Sequence, residues 1–221
     1  NNFTLGFTES TGLRHPDLYV LHGTNPSKSF KPMNTTKPET SLTREVTAKY
    51  NFSENIFIES TAYKGSVSDV LNRGTSTYGY NEIIDIEQEG LENSLVFKNK
   101  NQKIALSSTF SKSREDDGSP QLRRPEKQFG INYSKNFITK ALGPFSLNYD
   151  YRHVGKVEDW KNGSVRAKVD SSDIMNLNLS KDFFSSIWSV HVLNLTDENY
   201  QRPDTYNQEG RRIELSFRHK Y

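Results

Sequence analysis

The 221-residue chain has no cysteine, two methionines and two tryptophans, and no apolar run near the roughly 18 residues that a membrane-spanning helix needs. Without cysteine there are no disulfides and no thiolate metal sites, which suits an envelope protein that crosses an oxidising periplasm. Without a long apolar run, any bilayer crossing has to be made by β-strands. Charge of one sign is missing too: 29 Lys+Arg against 27 Asp+Glu leave +2, which gives no electrostatic case for nucleic acid or for an acidic partner. Hydrophobic residues are only 33% of the chain and mean hydropathy is −0.80, low for one dry core at this length. The first residues, Asn1-Asn2-Phe3-Thr4-Leu5-Gly6-Phe7, carry no initiator Met and no signal peptide and already read as a strand, so the expectation is a chain that begins mid-structure.

What the chain does have is regularly spaced aromatics, 11 Tyr and 13 Phe, set in β-rich segments rather than scattered, which weighs against disorder. Period-2 alternation predicts about ten strands, near 2–9, 42–52, 56–67, 83–98, 102–114, 126–136, 144–155, 172–182, 186–195 and 211–221. It is clearest at Phe129/Ile131/Tyr133, Phe145/Leu147/Tyr149/Tyr151, Met175/Leu177/Leu179 and Trp188/Val190/Val192, each interleaved with polar residues. In segment 83–98, Gly90 reads as a bulge that switches the apolar face between Ile84/Ile86 and Leu91/Leu95/Phe97. In the last segment Ile213, Leu215, Phe217 and Tyr221 share one face, suited to lipid, while Glu214, Ser216, Arg218 and Lys220 share the other, suited to water.

The links alternate in length. Short turns at Asn51–Asn55, Asn99–Asn101, Asn136–Gly143 and Asp182–Ser185 separate the long polar links Thr11–Ser41, Ser68–Glu82, Glu115–Pro125, Lys156–Ser171 and Thr196–Gly210. Short and long links therefore belong to opposite ends. The expected fold class is all-β, an antiparallel transmembrane β-barrel segment of about ten strands with short periplasmic turns and long extracellular loops. Its parity brings the last strand from an outside loop to a periplasmic end, with Tyr221 in the aromatic girdle.

Several landmarks then match a family. Leu13-Arg14-His15-Pro16-Asp17-Leu18-Tyr19-Val20-Leu21-His22-Gly23, with Asn25-Pro26 and Lys37-Pro38-Glu39-Thr40-Ser41, resembles the "F-(K/R)-A-P-x-L-x-x-L-Y … N-P-x-L-K-P-E-x-S" stretch of TonB-dependent outer-membrane receptors. Glu89-Gly90-Leu91-Glu92 is similar to their "x-G-(V/L/I)-E", and Leu122-Arg123-Arg124-Pro125 to their "L-x-R-x-P". Asn194-Leu195-Thr196-Asp197-Glu198-Asn199-Tyr200 is similar to "N-L-(F/T)-D-x-x-Y", and Gly210-Arg211-Arg212 to "P-G-R". The order of the set is what makes it specific. Departures are His15 where Ala is usual, Tyr221 where Phe is commoner, and His219 within the apolar face of the last strand.

The resemblance runs through the whole chain but covers only the C-terminal ten or so strands of a plugged 22-stranded barrel. It implies that residues 1–221 are the C-terminal part of the barrel of a siderophore- or cobalamin-receptor-like protein, with plug domain, energy-coupling box and first strands absent. Two open edges would be unsatisfied in hydrocarbon. Either they pair to close a small barrel or, as a fragment or split receptor would require, other strands complete it. The implied function is energised uptake of a scarce ligand at the bacterial outer membrane. The implied partners are the remaining strands and plug, the bilayer, the barrel-assembly machinery and, through the plug, the TonB protein.

Aromatic and guanidinium groups grip flat or anionic chelates, so Tyr78, Tyr80, Arg123, Arg124, Trp160 and Tyr206 in the long links are the ligand-contact candidates. Packing within their own loops is the competing role for each. No cofactor, metal site or catalytic residue is expected. His15, His22, His153, His191 and His219 are scattered, and Asp116-Asp117-Gly118 is too short for a calcium loop. Two other classes remain as alternatives, a soluble β-rich binding module and a small self-closed outer-membrane barrel with hydrolase activity. The latter would use rim residues from among His15, Asp17, His22, His153, Glu158 and Asp159, although none shows triad spacing.

Overall fold

A computed structural model describes residues 2–16, 37–72, 82–140, 143–161, 165–202 and 205–219. Among them the chain forms twelve strands and no helix: β1 (Phe3–Arg14), β2 (Glu39–Ser53), β3 (Ile56–Asn72), β4 (Glu82–Lys98), β5 (Gln102–Glu115), β6 (Lys127–Thr139), β7 (Gly143–Val154), β8 (Val157–Lys161), β9 (Val165–Val169), β10 (Ser172–Phe183), β11 (Ser186–Leu193) and β12 (Arg212–His219). Ten of these build one antiparallel sheet in the order β1-β2-β3-β4-β5-β6-β7-β10-β11-β12, and β8 pairs with β9 as a separate hairpin. Each predicted strand is present. The long-loop ends of β1 and β2 reach further than the alternation shows, to Arg14 and back to Glu39, and the hairpin lies in a stretch read as loop.

The registers align side chains of one kind across the sheet. One face carries Phe3, Leu5 and Phe7 of β1, and across successive strands Val46, Ile58, Leu95, Leu106, Ile131, Tyr149, Leu177, Val190 and Leu215. Positions of the other parity carry Thr47, Thr61, Ser94, Ser107, Asn132, Asp150, Asn176, Asn178, His191 and Ser216. The apolar face is not buried against anything: Phe7 is 67% exposed and Leu215 80%. The only buried apolar side chains among the described residues are Ile86, Val96, Val157, Val169 and Ile174. A soluble sandwich of this size would bury one face of each sheet, so this distribution argues against the soluble module.

Strands β3 and β4 are 17 residues long, well beyond the roughly 9–11 that cross a bilayer when tilted. The excess lies beyond the apolar band, at the end where the long links emerge. Three polar side chains within the band satisfy one another. Ser60 Oγ donates to Asn93 Oδ1 at 2.8 Å, and Asn93 Nδ2 donates to Ser108 Oγ at 3.2 Å, along one register row.

Gly90 corrects one expectation. Pairing of β4 with both neighbours runs through Gly90 without a shift, so ordinary alternation alone separates Ile84 and Ile86 from Leu91, Leu95 and Phe97. The irregularity sits in β3 between Val67 and Val70, where Asp69 has φ 58° and its amide donates to Asp85 Oδ1 at 3.0 Å. Gly90 is instead the seat of a ring: a Cβ there would lie 2.6 Å from the Tyr63 side chain, which crosses the polar face from the facing position on β3. A missing side chain was legible in the sequence; the neighbour that fills its place was not.

Candidate functional site

The polar face and the outer loops above it form the candidate site. Between β5 and β11 this face holds a groove of about 270 Å³ lined by Lys103, Asn132, Asn148, Asp150, Asn178 and His191, among others. Asp150 is its centre: Asn132 Nδ2 donates to it at 3.0 Å and Asn176 Nδ2 at 3.5 Å from opposite strands. Further along, the Ser180 and Ser189 hydroxyls pair at 2.9 Å and the Thr47 and Thr61 hydroxyls at 2.9 Å. Such a wall is wettable and can pass hydrogen bonds to a guest without holding a fixed charge pattern.

Three long links interlock at the outer end. The alternating run Val165-Arg166-Ala167-Lys168-Val169 forms β9 and pairs with β8. From it Arg166 reaches the β5–β6 link, donating to Glu115 Oε2 at 2.8 Å and to the Pro120 carbonyl at 2.5 Å, with Glu158 at 3.6 Å. In return Arg123 of that link takes φ 61°, its amide donates to the Glu158 carbonyl at 2.8 Å, and its Nε donates to Asp159 Oδ1 at 2.8 Å. Asp159 is 1% exposed, and a buried carboxylate in this state requires such a partner. Gly155 lies so close to the Lys127 carbonyl that a Cβ would sit 2.8 Å from that oxygen.

The β11–β12 link is tied in by two residues. Arg202 donates to the carbonyls of Val154 at 3.2 Å and Gly155 at 3.1 Å, and burial lowers its pKa. Asn194 is buried at φ 51°; its Nδ2 donates to the Glu198 carbonyl at 2.9 Å and the Glu209 carbonyl at 3.3 Å, while its Oδ1 accepts the Glu198 amide at 2.8 Å. Asp197 Oδ1 accepts the Arg211 amide at 2.7 Å. The Asn194–Tyr200 motif is thus a loop clasp, which explains its residue types without any ligand. In the β5–β6 turn the Ser119 hydroxyl and amide hold the Asp117 carboxyl below its ordinary pKa, with the amide at 2.8 Å.

The candidate ligand contacts fall into three groups. Arg123 and Trp160 belong to the loop clasp, Trp160 half-buried with the Arg166 guanidinium 5.5 Å from its ring centre. Arg124 and Tyr206 are exposed, Tyr206 at 66%, and Arg124 has no ion pair among the described residues. Tyr78, Tyr80 and Tyr221 lie outside the described residues. Ile213, Leu215 and Phe217 share the exposed apolar face with Val192, Val190 and Trp188 opposite them, and Phe217 packs its ring 4.8 Å from that of Trp188. His219 shares the face and contacts Ser186 Oγ at 3.0 Å.

The rim residues of the hydrolase alternative do not converge. His153 meets Asp173 at 2.9 Å and Tyr151 donates to the same carboxylate at 2.7 Å, with no serine hydroxyl at His153 among the described residues. Glu158 and Asp159 are engaged by Arg166 and Arg123. His15 is exposed, and Asp17 and His22 lie outside the described residues. Arg166, Arg202 and Glu115, which hold the loops together, were not singled out from the sequence, and Asn194 entered only as the head of the Asn194–Tyr200 landmark. For Arg166 the period-2 run around it was the available signal.

No family model matches the chain, and no curated protein sequence matches it. Solved structures do. The FrpB iron transporter from Neisseria meningitidis superposes with a TM-score of 0.76 over 100% of this chain and 37% of its own, at 13% identity. The ferripyoverdine receptor of the outer membrane of Pseudomonas aeruginosa gives 0.75, over 97% and 30%, at 15% identity, and the copper transporter OprC gives 0.73, over 97% and 36%, at 18% identity. The chain spans about a third of the length of the structures it matches. In fold, the chain resembles the barrel portion of TonB-dependent outer-membrane receptors.

Proposed function

We propose that this chain is the C-terminal part of the barrel of an outer-membrane TonB-dependent receptor, one wall of a pore for energised uptake of a scarce metal chelate or similar ligand. The observation that carries this reading is the two-faced ten-stranded sheet with all short turns at one end and all long links at the other. An exposed apolar face continuous over ten strands fits lipid, and an amide- and hydroxyl-rich opposite face fits a wet lumen. The remaining strands and a plug complete the pore, and the plug carries the coupling to TonB. The ligand contacts are drawn from Tyr78, Tyr80, Arg124 and Tyr206, with Arg123 and Trp160 acting through the clasp that shapes the mouth.

Expressed with the rest of its receptor and delivered to a bacterial outer membrane, the protein should fractionate there and migrate faster in detergent before boiling than after. Recovery in the soluble fraction, with no change of mobility on heating, would overturn the membrane reading.

A further inference from the structure

The apolar band ends, toward the long links, in a charged belt. Across β2 to β5 the next positions on the same face are Arg44, Lys64, Glu89 and Lys112, cross-strand partners in one register row, and Lys127 of β6 stands opposite Phe110. All five are exposed. Arg44 is held by Glu9 at 2.7 Å, and Glu126 by Arg114 at 2.6 Å. Lys64, Lys112 and Lys127 have no ion pair or ring contact among the described residues; Glu89 faces them within the row, and exposed Glu87 stands two residues further along the same face.

Lysines on the same face near the opposite margin behave differently. Lys135 lies over Phe137 at 4.8 Å and Lys181 over Phe183 at 5.5 Å, each occupied by a ring. At the long-link margin the three free ammonium groups border a groove of about 450 Å³ whose apolar floor is Leu91 and Phe110. Its lining takes in the two apolar-side rows that carry Leu91/Phe110/Lys127 and Lys64/Glu89/Lys112, which flank it, and between them Tyr63, Gly90, Ser111 and Glu126 of the intervening row.

We propose that this groove binds a phosphate-bearing lipid of the outer leaflet, its phosphate oxygens between Lys64, Lys112 and Lys127 and its chains on Leu91 and Phe110. Three ammonium groups against the carboxylates of Glu89 and Glu87 leave an excess of positive charge, which gives the charge complementarity. The floor, continuous with the apolar band, favours a lipid over a free anion. This rests on the membrane reading above, and heat-dependent mobility tests that reading separately.

The test uses the complete receptor in nanodiscs of phosphatidylcholine with or without phosphatidic acid, and native mass spectrometry to count retained anionic lipid. The wild type should retain phosphatidic acid, K64Q/K112Q/K127Q should lose affinity on the order of 100-fold, at about fivefold per lysine, and K64R/K112R/K127R should keep it. Excess inorganic phosphate should not displace the lipid. Equal retention by the Gln variant and the wild type, or displacement by inorganic phosphate, would overturn the proposal. If the Gln variant fails to fold, the three single Gln variants carry the same comparison, and no loss in any of them would count against it equally.

Discussion

Leu215 and Ser216 are neighbours in sequence, yet the same charge should affect them oppositely. Leu215 is 80% exposed, sits midway between Ile213 and Phe217, and belongs to the row Leu147/Leu179/Val190/Leu215. If that row faces hydrocarbon near the midplane, Leu215→Arg costs about 2 to 4 kcal/mol. If it faces water instead, replacing an exposed side chain falls within about 0.5 kcal/mol. Ser216 stands opposite Ser189 and makes only a 3.3 Å contact with His191 Nε2, so Ser216→Arg projects its charge into the wet side at a cost within about 1 kcal/mol. Denaturant unfolding of the complete receptor in phosphatidylcholine vesicles, followed by tryptophan fluorescence, measures both. A loss for Leu215→Arg no larger than for Ser216→Arg would refute the assignment of faces.

Three further outcomes follow from particular contacts. Gly90→Ala alone should cost about 1 to 3 kcal/mol by driving a methyl into the Tyr63 ring, and should become nearly neutral in a Tyr63→Ala background; a double-mutant cycle without coupling would discard that contact. Asn194→Ala should release the 194–211 link, losing three side-chain hydrogen bonds at about 0.5 to 1.5 kcal/mol each and adding left-handed strain of about 1 kcal/mol, whereas Asn194→Gly should spare the strain; equal hydrogen exchange in both variants would contradict this. The Asp117 carboxyl has a lowered pKa in the folded turn, so its contribution is present above the unfolded value and is lost as pH falls through the folded one. The Ser119 amide should therefore lose exchange protection in acid below the ordinary carboxylate range, and not in Asp117→Asn, which no longer titrates.

The legible part of the fold is what depends on local period. Alternation at Phe145/Leu147/Tyr149/Tyr151 predicts the faces of β7 because one side of the sheet is apolar and the other polar, a difference that every second residue records. Link lengths gave the topology, since antiparallel neighbours need only a turn at one end. What remained hidden depends on residues distant in sequence. Gly90 needed Tyr63, 27 positions away, and Arg123 needed Asp159, 36 positions away. The ligand-contact candidates rest on residue type and on a place in the long links, and neither separates Arg123, which holds a buried carboxylate, from Arg124, which holds none.

The edges of the sheet bear on what surrounds it. Among the described residues β1 and β12 do not touch each other, and every residue of both is exposed. An antiparallel edge leaves the amide and carbonyl of every second residue unpaired, about six such residues on β1 and about four on β12. In hydrocarbon each unpaired group costs several kcal/mol, so the two edges together exceed the roughly 5–15 kcal/mol net stability of a typical domain several times over. An open ten-stranded wall is therefore not a state that a bilayer tolerates. If the sheet lies in a bilayer as proposed above, its edges are paired there, and further strands of the same kind of barrel are the complement that the proposal supplies. Pairing of β12 with an added strand would protect the amides that point away from β11, a pattern that hydrogen exchange can read residue by residue; fast exchange along that edge in the assembled membrane protein would exclude it.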